Sequence, residues 1–172
     1  MGQQINVVMA QLNLLVGDIA FNTSLIIEKA KEAIQANSAD VIAYPELTLT
    51  GYPPEDLLFR PSLSIRIKKA LQRICDEDLS AYLVVGYPER VGDKLFNSLT
   101  IIGNGKQIAN YRKQFLPNYQ VFDEERYFDR GTDVCLVEIA GQKVAFTICE
   151  DMWEQAPVMQ ARSVGAQLMI NI

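Results

Sequence analysis

The chain of 172 residues contains no histidine. It therefore lacks the side chain that ordinarily changes charge near neutral pH, which is also the commonest general base and metal ligand. Any nucleophile in this protein has to be activated by something else. Cysteine is scarce, with only Cys75, Cys135 and Cys149, and their odd number and wide spacing suggest neither a disulfide framework nor a CxxC zinc pattern. A reducing cytoplasm is the expected compartment. Positive charge is also short: 16 Lys and Arg stand against 21 Asp and Glu, for a net charge of -5 and a pI near 4.8. With no basic stripe to face phosphate, neither a nucleic acid nor an anionic membrane is an expected partner. No apolar run approaches the roughly 20 residues that span a bilayer. The N-terminal MGQQIN has no basic segment followed by an apolar signal core, and after Gly2 it places Asn6 where a myristoylation motif requires Ser or Thr.

The residues present are those of a globular domain, 49% hydrophobic and 22% charged, enough to bury a real core. The apolar, β-branched run from Ile5 to Leu12 predicts a buried strand. Asn22 is a candidate cap for a helix with Leu25, Ile26, Ala30, Ala33 and Ile34 on one face, ending near Asn37. A second buried strand is expected over Asp40–Tyr44, and a second helix from about Pro61 to Asp78. From Ala81 the pattern changes to strands. AYLVVGYPE, LFNSLTIIG and QIANYRK follow one another, with the hairpin signal GNGK at Gly103–Lys106. After a turn-rich stretch from Pro117 to Asp133 come a second hairpin, VCLVEIAGQKVAFTIC, a helix near Pro157–Val164 and a final buried strand, QLMINI. The expected fold class is layered α/β, without a linker or an internal repeat. Because QLMINI ends at Ile172, the chain is expected to be an incomplete N-terminal part of its domain.

Three polar residues sit at predicted strand ends. Cys149 closes VAFTIC, where a turn would present a thiol to substrate and aim the following backbone N–H groups at a developing oxyanion. Equally, it is a small core residue, as Cys75 and Cys135 are expected to be. Glu46 follows DVIAY, where partial burial would strengthen it as a base; otherwise it is a solvated acid at a loop start. Lys113 ends QIANYRK and is either surface or, at the same sheet edge, the cation that balances a thiolate and an oxyanion. In a chain without histidine, a carboxylate and an ammonium are the groups left to activate a thiol.

The blocks YPELTLTGY, YRKQFLPNY and ICEDMW resemble, in order, the three signature regions of the nitrilase superfamily of carbon–nitrogen hydrolases. GYPPEDLLFR and LPNYQVFDEERYF narrow the resemblance to the N-terminal glutamine amidotransferase domain of glutamine-dependent NAD+ synthetases. The resemblance implies a nitrilase-like α-β-β-α sandwich, truncated at the C-terminus, with Glu46 as general base, Lys113 as oxyanion stabiliser and Cys149 as nucleophile. It implies a second active-site glutamate at Glu124, with Glu125 one place away as the alternative. It also implies a glutamine pocket lined by Tyr52, Phe122, Glu150 and Trp153, with Glu150 meeting the α-amino group. Taken alone, Tyr52 is also readable as a loop anchor, Phe122 and Trp153 as core packing, and Glu150 and Asp151 as acids favouring the start of the next helix.

The implied substrate is L-glutamine, hydrolysed without a metal or other cofactor in this chain. The implied partner is a C-terminal NAD+ synthetase domain that uses ATP and Mg to amidate deamido-NAD+ with the released ammonia. No glycine-rich phosphate-binding motif is present to assign nucleotide binding here. A homo-oligomer is expected, since such domains associate through sandwich faces and an open sheet edge invites pairing. The competing readings are another amidase of the superfamily, or a folded fragment with an incomplete, inactive pocket.

Overall fold

Alternation along two strands decides the layering. Successive side chains of a strand point to opposite faces, so in β2 (Val41–Ala43) and β3 (Tyr82–Val91) Val41, Ala43 and Val84 fall on one side and Ile42, Leu83 and Val85 on the other. The second set packs under two helices, α1 (Ile19–Asn37) and α2 (Pro61–Asp76), with Ile26, Ile27, Ile67 and Ile74. The first set meets Cys135, Val144, Phe146 and Ile170 of a second sheet. The computed structural model describes residues 4–172; Gly2 and its myristoylation reading lie outside them.

The first sheet has the order β1-β2-β3-β4-β5, with β1 (Val7–Met9), β4 (Lys94–Gly103) and β5 (Lys106–Arg112). Its first three strands are parallel, and β4 and β5 return antiparallel. The second sheet is β6 (Cys135–Ile139), β7 (Gln142–Thr147) and β8 (Leu168–Asn171), the first pair antiparallel and the second parallel. Of the three two-residue hairpins among the described residues, those at Asn104–Gly105 and Ala140–Gly141 turn where two successive residues have positive φ, and the β3–β4 turn has a positive φ at Gly92, backbones that match strand twist. With α3 (Gln155–Ser163) accompanying the second sheet, the layers form the expected nitrilase-like α-β-β-α sandwich. No helix among the described residues is long and apolar enough to cross a membrane.

Three sequence expectations need correction. The run Ile5–Leu12 yields only a three-residue strand at the outer edge of its sheet, with Met9 82% exposed; a run of apolar residues does not reveal whether a neighbour covers it. Asn22 is not the helix cap. Asp18 is, its side chain accepting from the Phe21 N–H, while Asn22 is buried one turn in and ties the helix to the chain by donating to the Leu15 and Leu49 carbonyls. The final strand is half-buried, with only Ile170 fully enclosed.

Candidate active site

The topology brings three strand ends to one place. β5 runs in the same direction as β2, because two antiparallel steps separate it from β3, so the loops after β2 and after β5 leave the same edge of the sheet. Glu46 lies in the first of these loops and Lys113 in the second. Gly86, on β3, allows the close approach: a Cβ there would come within 2.6 Å of the Leu47 nitrogen and 2.8 Å of the Pro45 carbonyl oxygen. Lys113 is in turn pinned across the sheet, its N–H donating to the Asn97 carbonyl at 2.8 Å and its own carbonyl accepting from Gly131 at 2.8 Å.

The Lys113 ammonium is wholly buried and bridges two carboxylates, with Nζ 2.7 Å from Glu46 Oε1 and 2.8 Å from Glu124 Oε1. Glu124 opens the short 3-10 turn Glu124–Arg126, which turns it inward, whereas exposed Glu125 pairs with Arg130. Of the two adjacent acids, only Glu124 reaches the lysine. Burial alone would lower the Lys113 titration, but the two carboxylates more than reverse it and hold the ammonium charged. Burial, then the charge of Glu46, push Glu124 up to about 7, against the opposing pull of Lys113.

Cys149 stands just beyond β7, at the first position of the 3-10 turn Cys149–Trp153 and with φ of 45°. A non-glycine residue in this left-handed region is strained, and such strain persists where surrounding contacts impose it. Those contacts come from the last strand. The Cys149 N–H donates to the Ile172 carbonyl at 2.7 Å, its carbonyl accepts from Asn171, and Thr147 hydroxyl bonds the same asparagine at 2.9 Å. The thiol is half-buried, while Cys75 and Cys135 are enclosed in the core. Burial, then Glu46, raise the Cys149 thiol to about 11; Lys113 and the Glu150 backbone N–H oppose the rise. At neutral pH it rests as a thiol near Glu46, Lys113 and Glu124.

Asp151 was read from sequence only as an acid near a helix start, yet it joins the two halves of the site. Fully buried, it accepts from the Gln114 and Phe115 N–H groups at 3.0 and 2.8 Å, from Tyr111 hydroxyl at 2.8 Å and from the Ile148 N–H at 3.3 Å. It thereby clamps the chain after Lys113 to the turn that carries Cys149. Asn97, whose Nδ2 donates to Glu46 Oε1 at 2.6 Å, also escaped notice. Asn97 carries no local sequence signal, and the Asp151 carboxylate takes one local bond, from the Ile148 N–H; the bonds that tie each into the site come from distant parts of the chain.

Beside these groups lies a cleft of about 340 Å³ lined by Tyr52, Phe122, Glu124, Arg126 and Tyr127, among others. Tyr52 and Phe122 both line this cleft. Burial, then Glu46, raise Tyr52 to about 12, so its hydroxyl stays protonated. Glu150 is half-buried on the Cys149 turn and accepts from Tyr119 hydroxyl at 3.0 and 3.2 Å. Trp153 does not line this cleft; it is 77% exposed.

Residues 6–172 match the carbon-nitrogen hydrolase family. The chain is 40% identical over 168 residues to a glutamine-dependent NAD(+) synthetase of Xanthomonas campestris, covering 96% of this chain and 30% of the relative. A synthetase of the same description from Aquifex aeolicus is 40% identical over 171 residues, again 30% of its length. The chain thus spans about a third of the curated relatives it matches. Among solved structures, the glutamine-dependent NAD+ synthetase of Acinetobacter baumannii superposes with a TM-score of 0.92 at 36% identity, covering 96% of this chain and 31% of that one. An amidase from Nesterenkonia sp. shares the fold with a TM-score of 0.87 at 22% identity, over 99% of this chain and 65% of that chain. A family match over nearly the whole described chain, on a fold shared with these proteins, makes this chain a member of the carbon-nitrogen hydrolase family.

Proposed function

We propose that this chain hydrolyses the side-chain amide of L-glutamine, with Cys149 as nucleophile, Glu46 as general base and Lys113 as oxyanion stabiliser. The observation that carries the reading is a buried lysine held between two carboxylates, with Cys149 on the turn that Asp151 ties to the chain after that lysine. A protonated thiol needs a base at the moment of attack, and a carboxylate is at hand. Glu46 takes the thiol proton as Sγ bonds the amide carbon. The oxygen of the tetrahedral adduct is met by the Lys113 ammonium and the backbone N–H of Glu150. The adduct collapses as the C–N bond breaks, and the proton on Glu46 passes to the departing ammonia. Glu46 then accepts a proton from water, which attacks the γ-glutamyl thioester; glutamate leaves and the thiol is restored. Glu124 holds the lysine from the other side.

The substrate assignment rests on the cleft and on the turn that carries Cys149. Tyr52 and Phe122 line a space suited to the methylene chain, and Glu150, held by Tyr119, offers a carboxylate to an α-ammonium group. Similarity to synthetases of which this chain spans about a third supports a further step: the ammonia serves a separate ATP- and Mg-dependent domain that amidates deamido-NAD+. Cytoplasmic residence and a homo-oligomer belong to the same reading.

The test is covalent labelling by 6-diazo-5-oxonorleucine, with the adduct located by peptide mass spectrometry and Cys149→Ala as control. The expected result is an adduct confined to Cys149 and suppressed by excess glutamine. Equal labelling of Cys75 and Cys135, or none, would refute the proposal.

A further inference from the structure

Two donors converge on one oxygen of Glu46. Asn97 Nδ2 lies 2.6 Å and Lys113 Nζ 2.7 Å from Oε1, while Oε2 has no hydrogen bond among the described residues. Each donor draws on the lone pairs of the oxygen it contacts, so Oε1 is the weaker base and Oε2 the stronger. The carboxylate is thereby made asymmetric, which a single donor on each oxygen would not achieve.

Asn97 is built into this position. It is fully buried on β4, opposite Pro88, and its backbone carbonyl accepts the Lys113 N–H. Strand pairing thus sets the amide and the lysine side by side. Packing does not explain an asparagine here. Its Oδ1 is buried with no partner among the described residues, and an enclosed polar atom left unpaired is costly. An apolar residue would avoid that cost but would lose the bond to Glu46.

Resting on the amidase reading above, we propose that Asn97 is a positioning residue that occupies Glu46 Oε1 and so leaves Oε2 to take the Cys149 proton. The charged and titratable groups facing the carboxylate are Lys113, Glu124, Cys149 and Tyr52. The amide also favours the ionised form of Glu124. Its loss therefore lets the carboxyl pair around Lys113 hold a proton to higher pH, and the acidic limb of the reaction moves upward.

The experiment compares the unaltered chain with Asn97→Ala and Asn97→Thr, after thermal melts establish that each is folded. Labelling of Cys149 by 6-diazo-5-oxonorleucine is followed against concentration and pH. The limiting rate is expected to fall about ten- to a hundredfold, the half-saturating concentration to stay constant, and the acidic limb to rise by about one pH unit. A folded variant with an unchanged rate and profile overturns the proposal, as does a change only in half-saturation. Unfolding of both variants overturns it too, because Asn97 would then be structural. Iodoacetamide, which needs no glutamine pocket, carries the same pH comparison. If the analogue fails on the unaltered chain while iodoacetamide shows the Asn97-dependent shift, the substrate reading fails and the role of Asn97 stands.

Discussion

Gly86→Ala is the most economical perturbation of the site, since it adds one methyl group and alters no polar side chain. The new Cβ would stand 2.6 Å from the Leu47 nitrogen, about 0.8 Å inside the 3.4 Å at which ordinary contact begins, and 2.8 Å from the Pro45 carbonyl oxygen. Neither obstacle is a flexible side-chain end. Both belong to the backbone that carries Glu46, so the loop has to move or β3 has to bend. Overpacking of this kind costs about 1–3 kcal/mol. For a chain of this size that lowers Tm by roughly 2–4 °C per kcal/mol. A base displaced by something under 1 Å reacts up to about a hundredfold more slowly. Thermal melts and the limiting rate of Cys149 labelling measure the two effects separately. Unchanged stability together with an unchanged rate would show that the strand and the loop do not press on each other, and would refute the reasoning.

Asp151→Asn keeps the shape of the clamp but turns an N–H2 toward groups that are themselves donors. We expect a loss of about 2–4 kcal/mol, read from urea midpoints, and slower labelling of Cys149; a midpoint unchanged within error would contradict the clamp. Glu124 gives a pH signature. Its carboxyl titrates near 4.5 when free and at about 7 in the fold, so between those values the folded chain holds the extra proton and stability falls as pH rises. With Lys113 and Glu46 as its facing charges, Glu124→Gln is expected to remove about 1–3 kcal/mol of that fall, measured by urea unfolding at about pH 5 and about pH 8. Parallel pH dependence in the two chains would count against it.

The helices, both hairpins and the strand ends bearing Glu46, Lys113 and Cys149 were legible because each has a local cause: periodicity, a positive-φ turn, or a polar residue closing an apolar run. What stayed hidden depends on neighbours. Asn22 and Asp18 are both capping residue types, and the bonds Asn22 makes to the Leu15 and Leu49 carbonyls decide between them. The strand at Val7 reads as buried because its residues are apolar, although it lies at a sheet edge. Asn97, Asp151 and Gly86 work mainly through partners some 36 to 51 positions away. The choice of Glu124 over Glu125 was set by which way a single 3-10 turn faces.

The bonds from Asn171 and Ile172 to Cys149 make the nucleophile answerable to strand register. β8 pairs with β7 in parallel, Thr147 opposite Asn171, and a slip of one residue would turn Ile170 out of the core and bring its neighbours in. Intermediate registers do not exist. The backbone that presents the Cys149 thiol is therefore tied to the one register in which Asn171 lies opposite Thr147, and a slipped strand would withdraw the bonds that hold it.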